Sequence, residues 1–158
     1  MARLASPATT TAAAPRQRRK DARPHELLQA ALELFVEKGF AATRTDEVAQ
    51  RAGVSKGTLY LYYPSKEELL KAVIAHYLSA RIAATALEVQ QYQGPMAQLL
   101  REMLVAWWQK VYAGPASGTF KLIITEVRNF PDIGEFYVRN VIEPGHQLVG
   151  TILARGIA

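Results

Sequence analysis

From about Asp21 onward, apolar residues recur at three- and four-residue steps, and Leu27, Leu28, Ala31, Leu34 and Phe35 mark one face of a first helix. Gly39 ends it, as a residue at ease with positive φ should. Two short helices are predicted at about 46–52 and 55–63. Pro64-Ser65-Lys66-Glu67-Glu68 then opens a long helix, with Ser65 as its cap and Glu68 expected to reach back in a capping box. Leu69, Leu70, Val73, Ile74, Tyr77, Leu78 and Ile82 carry its apolar stripe towards Gln90. Gly94-Pro95 breaks the pattern before a fifth helix from Met96 to Tyr112, and Gly114-Pro115 before a sixth at about 118–129. Pro131 starts a seventh over about 132–156, which Pro144-Gly145 is expected to kink or split. Strand periodicity is absent, so the fold class is all-α.

Residues 45–63 read TDEVAQRAGVSKGTLYLYY, and each landmark has a mechanical reason. Thr45 is a good N-cap, followed by Asp46 and Glu47 at the positive end of the helix dipole. Val48 and Ala49 face inward, and Ala49 is small where two helices cross closely. Gly53 supplies positive φ at the turn, Val54 fills the angle between the helices, and Ser55 caps a second helix anchored by Leu59. Two helices joined by so short a turn form a helix-turn-helix, the geometry that projects a recognition helix into a major groove. Lys56, Thr58, Tyr60, Tyr62 and Lys66 are hydroxyl or cationic groups on or just after that helix, suited to phosphates or base edges. Gly57 permits close backbone approach to DNA. The tyrosines also suit amphipathic packing; Tyr63, which precedes the helix-ending Pro64, is assigned to packing, and Tyr60 and Tyr62 to DNA.

Charge changes this picture in one place. The net charge of +5 sits entirely within residues 1–24, where Arg3, Arg16, Arg18, Arg19, Lys20 and Arg23 face Asp21 alone. Such an arm is either a solvated tail or a source of counterion-release affinity for DNA. Its Ala/Thr run between Pro7 and Pro15 predicts disorder over 1–20. Arg-rich, acid-poor composition is also that of organelle transit peptides, but no continuous hydrophobic stretch reads as a secretory signal. No segment approaches the roughly 20 apolar residues of a membrane span. Without cysteine there are no disulfides or thiolate metal sites, which fits a reducing cytoplasm.

Residues 23–78, and above all AGVSKGTLYLYYPSKEELL at 52–70, resemble the N-terminal domain of TetR/AcrR-type bacterial transcriptional regulators. The departure is Tyr63, where the family usually has Phe. The resemblance implies a basic arm at 1–20, a helix-turn-helix DNA-binding domain at 21–66 and a helical effector and dimerisation domain at 67–158. It implies phosphate contacts from Thr45 and the adjacent Arg44, base-edge positions at Lys56, Thr58 and Leu61, and phosphate positions at Tyr60, Tyr62 and Lys66. Leu61 offers only van der Waals contact, as to a thymine methyl. The implied partners are double-stranded operator DNA, a second copy of the chain and a small apolar or aromatic effector, in a cytoplasmic ligand-responsive repressor on a palindromic operator.

In the second half, Trp107, Trp108, Tyr112, Phe120, Ile124, Phe136 and Tyr137 form an aromatic-rich set, which reads either as core packing or as an effector pocket. Glu126 and Arg128 are candidate polar pocket groups or surface ion pairs. His25, His76 and His146 are scattered and lack metal spacing. No nucleophile–base pair or phosphate-cradling loop stands out, so neither a cofactor nor an enzyme is expected. Two rival readings are a general DNA-binding protein that relies on its basic arm and an enzyme with a DNA-binding appendage. Family members continue for two further dimer-forming helices, so the chain is expected to be incomplete. The apolar side of the seventh helix (Val141, Ile142, Leu148, Val149, Ile152) is then expected to lack its cover.

Overall fold

A computed structural model describes residues 15–109, 113, 117–126 and 129–157. They form seven helices: α1 (Pro15–Lys38), α2 (Thr45–Arg51), α3 (Lys56–Tyr62), α4 (Lys66–Gln91), α5 (Met96–Trp107), α6 (Ser117–Glu126) and α7 (131–157). No strand occurs among the described residues, as the absent strand period requires. Disorder over 1–20 is corrected in part. Residues 1–14 lie outside the described residues, but helix begins at Pro15, whose fixed φ suits a first helical position.

α1 is the spine, packing on α2, on the first part of α4 and on α6. Leu27, Ala31, Leu34 and Phe35 are buried on its inner face, and Leu59, Leu69, Leu70, Val73 and Ile74 complete the same core. That core runs without interruption into Leu122, Ile123, Ile133 and Val141 of α6 and α7. Gly118 lets α6 approach closely, because a Cβ there would lie 2.4 Å from Val36 Cγ2. Ion pairs brace α2 against α1: Lys38 Nζ lies 2.7 Å from Glu47 Oε1, and Arg51 Nη1 lies 2.6 Å from Glu37 Oε1 and 3.8 Å from Glu33 Oε2. Hydrogen bonds from Arg51 and Lys38 hold the Glu37 and Glu47 carboxyls, respectively, below their ordinary range.

α4 and α7 each contain one wide π-turn, Ala75–Ser79 and Val138–Ile142, and the two turns pack against each other. In α7 the cause is legible. Pro144 has no N–H and its ring crowds the carbonyl four residues back; the wide turn just ahead absorbs both defects without ending the helix. The expected kink or split is thus a continuous helix with a π-turn. Within this turn the Asn140 side chain donates to the Phe136 carbonyl at 2.8 Å. For the turn in α4 we have no comparable sequence cause.

Three further expectations need correction. α4 satisfies the length and composition of a membrane span, with mean hydropathy 1.2 over its best window. Only 22% of that window is buried, and Val73, Ile74 and Leu78 are the helix side chains it shares with the protein core. Ser65 accepts from the Glu68 N–H at 3.1 Å, but the Glu68 carboxylate takes Lys71 at 3.0 Å instead of reaching back. The apolar side of α7 is covered in part: Val141 and Ile152 are buried, and Ile142, Leu148 and Val149 face an internal cavity. Beyond them, Arg155 donates to the carbonyls of Val89 and Tyr92, closing the end of α4.

Gly118→Ala should lower the melting temperature through overpacking of about 1–3 kcal/mol. Adding Val36→Ala should restore most of the loss; an unaltered melting temperature in the single variant would contradict the close approach. Depressed carboxyl pKa values contribute stability above the unfolded range, lost as pH falls through the folded values. Urea midpoints measured at neutral pH and at about pH 3 should therefore converge more for the Glu37→Gln/Glu47→Gln variant than for the native chain. Both pairs are exposed, so the difference should be modest.

Candidate nucleic-acid interface

The site begins where α1 ends. Gly39 at φ +83° turns the chain, and the Phe35 carbonyl accepts its N–H. The buried Thr43 hydroxyl lies 2.8 Å from the Gly39 carbonyl and 3.1 Å from that of Leu34. The next residue, Arg44, is the N-cap of α2, and its N–H donates to Glu47 Oε2 at 3.2 Å. Thr45 is therefore not the cap, a one-residue correction. As the first helical residue it frees its hydroxyl for Tyr60, 2.9 Å away on α3. That bond ties the start of α2 to the middle of the second helix.

The α2–α3 turn follows the pattern. Gly53 takes φ +66°, the Ser55 hydroxyl accepts from the Thr58 N–H at 3.1 Å, and Leu59 is fully buried. One anchored residue leaves the rest of α3 facing outward. Lys56 and Gly57 are exposed, Thr58 is half-buried, and Tyr60, Leu61 and Tyr62 lie on the surface. Leu61 is 86% exposed, an unusual position for a leucine within an ordered helix. At Gly57, a Cβ would meet nothing closer than Ser55 Oγ at 3.9 Å, so no intramolecular crowding requires a glycine there. Tyr63 is half-buried against the core, and that burial pushes its phenol up.

Arg44, Thr45, Lys56, Tyr60 and Lys66 border one shallow groove. Two of the cations are already engaged. Arg44 makes a two-point contact with Asp46 (Nε–Oδ1 3.0 Å, Nη2–Oδ2 2.9 Å), which holds the Asp46 carboxyl below its ordinary value. Lys66, expected at a phosphate, instead donates to the carbonyls of Phe40, Ala41 and Thr43. Lys56 Nζ stands 5.9 Å from the centre of the Tyr60 ring.

A second site lies in the helical half. A cavity of about 540 Å³ is bounded by the two π-turns, α5, Phe120 of α6 and the middle of α7. Of the aromatic set singled out in the sequence, Trp107, Phe120 and Tyr137 border it. Tyr112 and Arg128 lie outside the described residues. Trp108, Ile124 and Phe136 are not on its wall: Trp108 and Ile124 are exposed to solvent, and Phe136 packs on the core. Glu126 is not there either; it is buried beneath the α1–α2 turn, with Oε1 3.7 Å from where a Gly39 Cβ would stand. Residue periodicity missed Arg81, Glu88, Glu102 and His146, polar groups that do border the cavity. Nothing in the sequence marks them, because helical period shows only that they are not core. His25 and His76, remote in sequence, stand with ring centres 5.3 Å apart. No group of three metal-ligating side chains occurs among the described residues.

Known proteins share this architecture. Residues 27–73 match the family model of bacterial regulatory proteins, tetR family. The transcriptional activator FasR of Mycolicibacterium smegmatis is 48% identical over 59 residues, 37% of this chain and 27% of FasR. The transcriptional regulator RutR of Escherichia coli is 43% identical over 68 residues, 43% of this chain and 32% of RutR. The matched stretches thus span about a third or less of these relatives' length. In fold, a transcriptional regulator from Aquifex aeolicus superposes with a TM-score of 0.67 at 23% identity, covering 84% of this chain and 72% of that one. Residues 27–73 are thus similar to the tetR family of bacterial regulatory proteins, and the described helices share the fold of solved transcriptional regulators.

Proposed function

We propose that the chain is a ligand-responsive repressor that binds a palindromic operator as a homodimer, one α3 to each half-site. The observation that carries this reading is the outward side of α3, where Lys56, Thr58, Tyr60, Leu61 and Tyr62 stand clear of the core. Lys56, Thr58 and Leu61 face base edges. Tyr60, Tyr62, Arg44 and Thr45 hold flanking phosphates. A palindrome follows from pairing two such modules by a two-fold axis. Residues 21–66 serve DNA, and 67–158 serve the effector and the partner chain, in the cytoplasm.

The cavity supports the effector half of the reading. Its 540 Å³ falls within the roughly 300–1,000 Å³ range of small-molecule sites. Tyr77, Trp107, Phe120 and Tyr137 give it an aromatic, largely apolar lining, which suits a small apolar or aromatic molecule. A rival sign of regulation is also supported, because FasR is named an activator. Promoter-reporter assays with and without the protein separate repression from activation.

Selection of bound duplexes from a random pool, followed by footprinting, should yield a protected palindrome; recovery of no consensus would defeat sequence-specific reading. Thr58→Ala should weaken binding to the selected site by about 1 kcal/mol or more while sparing random duplex. Equal losses on both would remove Thr58 from the base-reading set. Asp46→Asn should act in reverse, strengthening binding to random duplex several-fold by releasing Arg44 and removing a negative charge beside the phosphates. Deleting residues 1–20 should reduce affinity and salt dependence but keep the consensus. Loss of the consensus would favour the arm as the main DNA-binding element.

A further inference from the structure

The geometry points to Lys66 as a positioning residue for the DNA interface, shaping the loop ahead of α2 without touching phosphate itself. This rests on the DNA contacts proposed for Arg44 and Thr45. An ammonium has three N–H donors, and here each has a carbonyl: Phe40 at 2.8 Å, Ala41 at 3.1 Å and Thr43 at 3.0 Å. To reach a phosphate, Lys66 must surrender at least one of them. Its Nζ also stands 4.6 Å from the centre of the Phe40 ring, a further hold on the cation.

The bonded loop leads directly into Arg44 and Thr45. Fixing three of the four carbonyls from Phe40 to Thr43 fixes where the Arg44 backbone emerges, and hence where α2 starts and where Thr45 meets Tyr60. Lys66 thereby acts at the phosphate contacts from behind. The unit also has a floor in the helical half. Phe40 is fully buried and meets Phe130, the residue ahead of α7, edge to face at 4.8 Å. α7 goes on to border the cavity at Tyr137 and Val141. One aromatic pair therefore joins the helix lining the cavity to the loop that sets Arg44.

Two measurements on the full chain test this. The first needs no DNA: hydrogen exchange of the free protein should speed up at residues 41–45 in Lys66→Ala, with α4 beyond its first turn unchanged. Lys66→Met, which keeps the aliphatic stem, serves if the alanine variant does not fold. The second is affinity for a random-sequence duplex over a range of salt. Lys66→Ala should weaken binding roughly tenfold, about the scale of one lost anchoring contact. Lys66→Arg should fail to restore it, because a planar guanidinium cannot meet three converging carbonyls, although it is an excellent phosphate ligand. In an Arg44→Ala/Thr45→Ala background the further loss should be under about twofold, since Lys66 acts through those residues.

A direct phosphate contact gives the opposite pattern. Lys66→Arg would then bind like the native chain, losses would multiply in the double background, and the salt slope would fall by about one. That pattern, or unaltered exchange at 41–45, overturns the assignment. Absence of duplex binding by the native chain would instead defeat the DNA reading, and the exchange measurement would still decide the role of Lys66 in the loop.

Discussion

The residues from Gly39 to Arg44 must connect two helices while leaving several carbonyls without a helical donor, and Lys66 answers that constraint. The Phe40 carbonyl also accepts the Thr43 N–H and Ala41 is exposed, so the cost of about 1–3 kcal/mol for a buried unpaired carbonyl is relieved mainly at Thr43. One ammonium at the start of α4 meets all three carbonyls together. Much else is arranged around this contact. Thr43 holds the loop from inside, Phe40 and Phe130 support it from below, and Glu126 lies beneath Gly39. The angle of α2 and its bond to α3 follow from where the loop delivers Arg44 and Thr45. The DNA-facing side is thus built as much from behind as from the recognition helix.

The second organising feature is the pair of facing π-turns. A π-turn widens a helix locally, displacing its side chains from the pattern an α-helix would continue. Where two such turns meet, ideal interdigitation of side chains is lost, and the space bounded by Tyr77, Leu78, Val141 and Ile142 stays open. Pro144 favours the wide turn in α7, because its ring and missing N–H disturb the turn that precedes it. The opening is thus tied to the sequence on one side. It does not depend on a deficit of large residues, for its wall carries Trp107, Phe120 and Tyr137.

Seven helices, the Gly39 and Gly53 turns, the Ser55 and Ser65 caps and the burial of Val48, Ala49 and Leu59 were all legible in the chain. Each depends on residues within four positions of one another, which periodicity and capping rules describe directly. The misses concern distant partners. Thr45 was read as a cap because the residue type fits, but Arg44 needed only its backbone N–H and the side chain of Glu47 to take that place. Lys66 was read from its charge and its place in the motif, and the folded loop adds to that reading three carbonyls 23 to 26 residues earlier. Ile124 was grouped with the aromatic set although it points to solvent, because a shared helix does not ensure a shared face. Glu126, two residues on and so on the opposite side of the helix, is the buried member instead.

The division of work at the DNA-facing side follows from how little charge it has to spend. Arg44 is paired with Asp46 and the N–H donors of Lys66 are taken up by carbonyls, which leaves Lys56 as the cation on α3 itself. Long-range attraction to a polyanion must then come mainly from the six basic residues within 1–24, several of which lie on the helical backbone of α1. A helix rises about 1.5 Å per residue, so Arg16 stands roughly 16 Å along the axis from Leu27, where burial begins. Charge of this kind favours encounter and residence on any duplex, and cannot distinguish one sequence from another. Discrimination falls to short-range contacts at positions without an internal reason for their identity. Gly57 has room for a Cβ yet lacks one, at a helix-propensity cost of up to about 1 kcal/mol. Leu61 exposes an apolar surface that nothing among the described residues covers. Both choices disfavour the isolated protein and are accounted for by a surface that closes on them from outside, which is the strongest physical reason to read α3 as an interface.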